Sequence, residues 1–323
     1  MTSVVTGDAP VDSVRGLAQV EHLVGRTPTM RIGVDRPELA RFFLKLEGCN
    51  PTGSVKDRAA FRMINAAVTS ARFESGVTLL DASSGNMACA LAYFAARLNL
   101  PATVVVSSKL TAEKRWFLEY FGASIVVVGD RTIDGNDYCR VLAAADAEGR
   151  YLFLDQLHNW NNPAAHYATT GPEILAAHPD CRMVVGSLGS GGTLYGTAKY
   201  LKERVRDLIV VAVEASAGSK MPGVGGFDDG DYMTPFIEAG RREKLFDVSA
   251  KVSLEQAAAQ LLAGRRDGLF GGLQTGAVVR AAYEAARERD LDGDVVIIAG
   301  DTGWKNVQSL ASARSAFDPS STT

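Results

Sequence analysis

The sequence predicts an α/β protein whose parallel sheets are covered by helices on both faces. Short unbroken runs of β-branched and aliphatic residues recur at 102–107 (Ala-Thr-Val-Val-Val-Ser), 124–129, 208–214 and 294–300. Amphipathic helical stretches separate them, and strands buried on both faces read as continuous apolar runs. The rhythm persists into both halves of a 323-residue chain, which is long enough for two such units.

In chain order, residues 1–14 are small and polar and read as a loose arm. Residues 24–32 read as a turn into a short strand, and 42–47 as a second strand. The run at 77–80 ends in small residues and leads to a helix over 88–97. Strand 102–107, a polar helix over 112–121 and strand 124–129 follow. After the midpoint come a strand at 183–186, a helix over about 194–205, then the strands at 208–214 and 294–300. Residues 215–245, rich in Gly, Pro, Asp and Phe, read as an irregular loop. The expected domains are 1–155 and 156–323, with the first strand region, about 15–45, able to pack with the second. The Ser-Ser-Thr-Thr end is expected to fray.

Composition narrows the function. A formal charge of −3, with no basic block, gives no footprint for nucleic acid or an anionic membrane surface. No apolar run reaches the roughly 20 residues of a membrane span, and no charged, apolar leader opens the chain, so a cytoplasmic protein is expected. The four cysteines (Cys49, Cys89, Cys139, Cys181) are scattered without CxxC spacing. His178 near Cys181 has no second ligand pair, so no metal site is expected.

Residues 50–58, Asn-Pro-Thr-Gly-Ser-Val-Lys-Asp-Arg, place Lys56 after a Gly-Ser turn and at the start of a helix. The helix dipole disfavours a second positive charge there, and a neutral amine is what carbonyl condensation needs. Taken alone, Lys56 also reads as an ordinary solvated residue. Ser83-Ser84-Gly85-Asn86 follows a strand and opens a helix, offering backbone N–H groups to a carboxylate; it is equally a common turn. The loop from Gly186 to Thr193 is the stronger signal. Its glycines let backbone close around an anion, and Ser190 and Thr193 add hydroxyls. It lacks the lysine of a nucleoside-triphosphate loop and the order of a dinucleotide loop, so a singly held phosphate monoester fits.

A lysine, a carboxylate nest and a phosphate cup together suit pyridoxal phosphate joined to an amino acid. On these motifs the chain resembles the cysteine synthase and cystathionine β-synthase family (O-acetylserine or O-phosphoserine sulfhydrylases), over residues 23–309. The resemblance implies a fold type II, tryptophan synthase β-like enzyme: two three-layer α/β domains with the active site between them. By it Lys56 carries the cofactor and shuttles the Cα proton. Asn86 meets the ring 3′-oxygen, and Gly189, Ser190, Gly191, Gly192 and Thr193 bind the phosphate. Ser83, Ser84, Gly85 and Met87 receive the substrate carboxylate, assisted by Gln156. Gln274, or Thr275 after a small shift, meets the pyridine nitrogen.

The chain departs from the family pattern near the substrate. Met87 replaces a threonine and offers an apolar wall, Gln274 replaces a serine, and the stretch after Gln156 is rewritten. The resemblance implies β-replacement on O-acetyl- or O-phospho-L-serine through an α-aminoacrylate, with a sulfur nucleophile giving cysteine or a cysteine-like amino acid. An amine nucleophile giving a diaminopropionate-type precursor, a dehydratase and a non-catalytic binding relative are the alternatives. The ending Asp301-Thr-Gly-Trp-Lys resembles a branch that uses O-phosphoserine and a small thiocarboxylated sulfur-carrier protein. Lys220, Arg241 and Arg242 could then meet a phosphate leaving group. A homodimer is expected from the family. The helix near 111–121 and the 215–245 loop are candidate movable parts.

Overall fold

The structure is a computed structural model that describes residues 16–33, 40–70, 73 and 76–312. The arm at 1–14 and the terminal Ser-Ser-Thr-Thr lie outside the described residues. Among the described residues ten strands run in chain order: β1 (Thr29–Ile32), β2 (Ala40–Leu46), β3 (Thr78–Ala82), β4 (Ala102–Val106) and β5 (Ser124–Val127), then β6 (Tyr151–Phe153), β7 (Cys181–Ser187), β8 (Ile209–Ala215), β9 (Val248–Val252) and β10 (Gly293–Ala299). They form a six-stranded sheet, β1-β2-β10-β7-β8-β9, and a four-stranded sheet, β5-β4-β3-β6. Every described pairing is parallel except β1 with β2.

The chain divides into one unit of residues 1–24 and 60–161 and a second of 25–59 and 162–323. This differs from the expected single cut at 155. The reason is main-chain pairing: β2 lies parallel beside β10 from Ala40↔Gly293 to Leu46↔Ala299. Arg41 meets Asp294, 253 positions later, at 2.7 Å. Of the early strand region, residues from 25 onward thus belong to the second unit. The boundary falls in the first turn of the helix Lys56–Val68, which leaves Lys56 itself in the second unit.

In the second unit, alternate residues of each central strand enter opposite layers. Val295 and Ile297 join Met183, Val185, Val211 and Val213 under the helix Leu273–Arg287, while Val296 and Ile298 join Val184 and Val210 under the helix Gly192–Lys202. Both layers are apolar along the middle of these strands, and their polar residues (Arg182, Glu214, Asp294) lie near the strand ends. In the first unit Leu80, Ala82 and Val105 pack on Cys139 of the helix Thr132–Ala145. The 215–245 segment is more ordered than expected. It holds a helix, Pro235–Arg242, started by Thr234, whose hydroxyl accepts from the Ile237 N–H, with proline at its first position. Among the described residues no helix is long and apolar enough to cross a membrane.

Candidate active site

Lys56 is presented by a loop tied down on every side. The Val55 N–H donates to Gly300 O at 2.8 Å, and Ser54 bridges Asp301 in antiparallel fashion, so the residues before Lys56 continue from the end of β10. Asn50 accepts from the Gly25 N–H at 2.8 Å and donates to Glu47 O at 2.8 Å. Gly53 turns the loop at φ 81°, where a side chain would be strained. Within the same first turn Arg58 is buried and forked between Glu47 (2.7 Å) and Glu173 (2.7 Å), which also receives Lys45 at 2.6 Å. The helix start is therefore held by a buried charge network.

Lys56 is half-buried, and among the described residues its Nζ has no hydrogen-bond partner. Loss of hydration pushes its amine down to about 8, with the Asp301 carboxylate opposing. A tenth or so of such amines is neutral near pH 7, which makes Lys56 a competent nucleophile.

The glycine loop expected to hold a phosphate lies in the same unit. Gly191 caps the helix Gly192–Lys202 at φ 82°, and the first four N–H groups of a helix have no partner within it. The glycines of this turn leave little or no room for a side chain. A Cβ at Gly189 would stand 3.1 Å from Gly223 O, one at Gly191 would strike Ile237, and one at Gly192 would strike Asn162. Thr234 donates its hydroxyl to Ser190 O at 2.6 Å, and Asn162 Nδ2 donates to Ser190 Oγ at 3.3 Å. Thr193 Oγ1 is 3.2 Å from Nε2 of His166, whose Nδ1 is 2.9 Å from Thr170 Oγ1. Burial, then the charges of Arg58 and Lys56, hold His166 well below the usual histidine range, so it is neutral. His166, Asn162 and Thr234 were not singled out from the sequence. The His166–Thr170 spacing on consecutive helical turns was a signal for one of them.

Gln274 has its side-chain amide engaged within the second unit. Its Nε2 donates to Ser187 Oγ (3.1 Å) and Ile298 O (3.2 Å), and its Oε1 accepts from the Gly300 N–H (3.0 Å). The amide is thus committed to the ends of β7 and β10. Thr275 is buried beside it, its hydroxyl 3.5 Å from Gln274 Oε1.

The first unit carries the Ser83–Met87 loop between β3 and the helix Asn86–Arg97. Ser83 Oγ accepts from the Gly85 N–H at 3.1 Å. The Ser84 hydroxyl accepts from the Ser107 N–H at 2.6 Å and lies 2.9 Å from the Ser107 hydroxyl. Met87 is 1% exposed and stands in the first turn of the helix Asn86–Arg97 as a buried apolar residue. Gln156 Nε2 donates to Ala82 O at 2.6 Å. Arg241, expected to be available to a leaving phosphate, is instead paired with buried Glu214 at 2.8 Å. Among the described residues no cluster of His, Cys, Asp or Glu could hold a metal ion.

These residues fit pyridoxal phosphate: a cradle that any Cβ would fill, helix N–H groups and hydroxyls for a phosphate, and a lysine with a lowered pKa. Comparison with known proteins agrees. Residues 20–301 match the pyridoxal-phosphate dependent enzyme family. The chain is 35% identical over 300 residues to a probable cysteine synthase of Bacillus subtilis, covering 89% of this chain and 95% of the relative. It is 33% identical over 273 residues to cysteine synthase B of Salmonella typhimurium, covering 83% and 88%. The solved O-acetylserine dependent cystathionine β-synthase of Helicobacter pylori superposes with a TM-score of 0.80 at 26% identity, over 95% of this chain and 98% of that one. With the lysine, the cup and these relatives in view, the chain belongs to the pyridoxal-phosphate dependent enzyme family and is a cysteine synthase-like member of it.

Proposed function

We propose that the protein replaces the β-substituent of an activated L-serine, O-acetyl- or O-phospho-L-serine, with a sulfur nucleophile, giving L-cysteine or a cysteine-like amino acid. The observation that carries this reading is the lowered amine of Lys56 in the same unit as the glycine cup. Two relatives named as cysteine synthases and a structure named for O-acetylserine support the substrate class.

Pyridoxal phosphate, when bound, supplies the electron sink for carbanion chemistry at Cα. The residues do the rest. Gly189, Ser190, Gly191, Gly192 and Thr193 hold its phosphate, and Asn86 meets its 3′-oxygen. Gln274 and Thr275 are the neutral groups assigned to the ring nitrogen, with Gln274 as a brace. Ser83, Ser84, Gly85, Met87 and Gln156 receive the substrate carboxylate, chiefly through main-chain N–H groups. With its amine free, Lys56 would take the Cα proton, and acetate or phosphate would leave with the Cβ–O electron pair. The nucleophile bonds to Cβ, and Lys56 returns the proton to Cα. The protein acts as a homodimer, and a small thiocarboxylated carrier protein is a candidate sulfur donor.

Purified protein loaded with the cofactor is expected to be yellow, and to change colour with O-acetylserine or O-phosphoserine. Each is then offered sulfide, a carrier thiocarboxylate or an amino-acid amine, with products read by mass spectrometry. Cysteine from a sulfur donor supports the proposal. A diaminopropionate from the amine alone, or pyruvate with no nucleophile used, refutes it. Full turnover by Lys56→Ala protein would refute the role of the lysine.

A further inference from the structure

The base of the cup contains a neutral imidazole with a hydroxyl on each nitrogen, and that arrangement has only two consistent states. His166 lies 3.2 Å from Thr193 Oγ1 through Nε2 and 2.9 Å from Thr170 Oγ1 through Nδ1. Both His166 and Thr170 are fully buried. A neutral imidazole carries one N–H. With the proton on Nδ1, His166 donates to Thr170 and accepts from Thr193, so the Thr193 proton is spent on the ring. With the proton on Nε2, His166 donates to Thr193 and accepts from Thr170, so the Thr193 O–H is released to donate elsewhere. A phosphate has acceptors and no use for a second lone pair.

We infer that His166 is a positioning residue whose Nε2–H tautomer arms the Thr193 hydroxyl as a phosphate donor, and that a phosphate monoester in the cup selects this tautomer. The inference rests on the cup being the cofactor's phosphate site, and it adds a buried residue that never touches the ligand. The surroundings keep the ring uncharged in both states. Arg58 and Lys56 repel a second proton, Glu173 attracts one, and burial outweighs it. The choice is therefore between tautomers, not between charge states. One hydrogen bond to an anion is at stake, so the tautomer ratio is expected to move by about tenfold or more on loading.

The test uses full-length 15N-labelled protein and long-range 1H–15N spectra of the histidine rings, with His166 assigned by the signal missing from His166→Gln. Four samples are compared: stripped protein, and stripped protein given pyridoxal phosphate, inorganic phosphate or pyridoxal. 31P spectra report binding independently. The expected result is a shift toward Nε2–H with both phosphate-bearing compounds and none with pyridoxal. A shift with the cofactor alone assigns the cup to the phosphate monoester. Thr193→Ser is expected to keep the shift and Thr193→Val to abolish it, while 31P still shows bound phosphate. Bound phosphate with Nδ1–H retained, or with a protonated ring, overturns the inference and leaves the proposed function standing. No bound phosphorus signal in any sample overturns both.

Discussion

Lys305 donates its ammonium to the main-chain oxygen of Thr52 at 2.5 Å, joining the segment after β10 to the loop that presents Lys56. Thr52 in turn gives its N–H to Asp57 Oδ2 at 2.6 Å and its hydroxyl to Oδ1 at 2.5 Å. One cation thereby steadies both flanks of Lys56. Burial pushes the Asp57 carboxyl up to about 6, while Thr52 and Lys305 pull against it.

Lys305→Met removes the tie and leaves the fold. It is expected to lower kcat/KM by roughly 10- to 100-fold through misplacement of Lys56. Because the lost cation favoured the ionised carboxyl, Asp57 titrates higher, and the acid side of the pH–rate profile moves to higher pH. Steady-state kinetics from pH 5 to 9 check this; an unmoved acid limb with wild-type kcat/KM would show that Lys305 is idle.

Lys56 makes a prediction without turnover. Its amine sits at about 8, so stripped protein should take up pyridoxal phosphate roughly tenfold faster per pH unit below 8 and level off above. The Asp301 carboxylate favours the ammonium form, hence Asp301→Asn should lower the midpoint and speed loading at pH 7. The initial rate of colour formation against pH reads both, and a midpoint that rises in Asp301→Asn protein contradicts the assignment.

Most strands legible in the sequence were continuous apolar runs, largely buried in β4, β8 and β10 and half-exposed in the edge strand β5. The runs at 102–107, 124–129, 208–214 and 294–300 became β4, β5, β8 and β10, because continuous β-branched residues leave little else to form. β9 escaped notice: Val-Ser-Ala-Lys-Val alternates at the edge of the sheet, where Ser249 and Lys251 are exposed. That the first strand region could pack with the second domain was expected, but its bounds, residues 25–59, depend on pairing across 253 positions. Lys56 and the glycine loop were found because each is a local conformational demand. His166, Thr234 and Asp301 were not, because each matters only through partners that the fold brings in from elsewhere. The helix Pro235–Arg242 was overlooked even though Thr234-Pro235 marks its start.

The buried network behind Lys56 predicts a stability loss with a known pH window. Glu173 is held down to about 2, burial being outweighed by Arg58 and Lys45. Its folded value lies below the ordinary one, so its contribution is complete above about pH 4.5 and is lost as pH falls toward 2. Glu173→Gln leaves Lys45 without its carboxylate and Arg58 with only Glu47, which should cost about 3–5 kcal/mol at pH 7. Urea unfolding of both proteins at pH 7 and pH 3 tests it. The gap should shrink at pH 3, and a gap that stays constant would place the loss in packing rather than charge.

Asp81 predicts the opposite slope. It is buried at the end of β3, just before the Ser83–Met87 loop, and its Oδ1 accepts from the N–H groups of Ala82 (2.9 Å) and Gln156 (3.4 Å). Burial pushes it up to about 7, with Asp155 adding to the rise and the two N–H groups opposing it. The folded chain therefore keeps a proton that the unfolded chain releases near pH 4, so folding binds a proton between about pH 4 and 7. Asp81's share of the stability must fall as pH rises through that window and flatten beyond it. Asp81→Asn keeps the Oδ1 acceptor and cannot ionise. Its melting temperature, followed by circular dichroism from pH 4 to 8, should lack this decline and exceed wild type at pH 8. Because Gln156 keeps its N–H partner, the colour change on adding substrate should survive the substitution. A mutant with the wild-type slope would mean that Asp81 is already ionised at pH 5, with solvent reaching it through the loop that Ser84 and Ser107 hold shut.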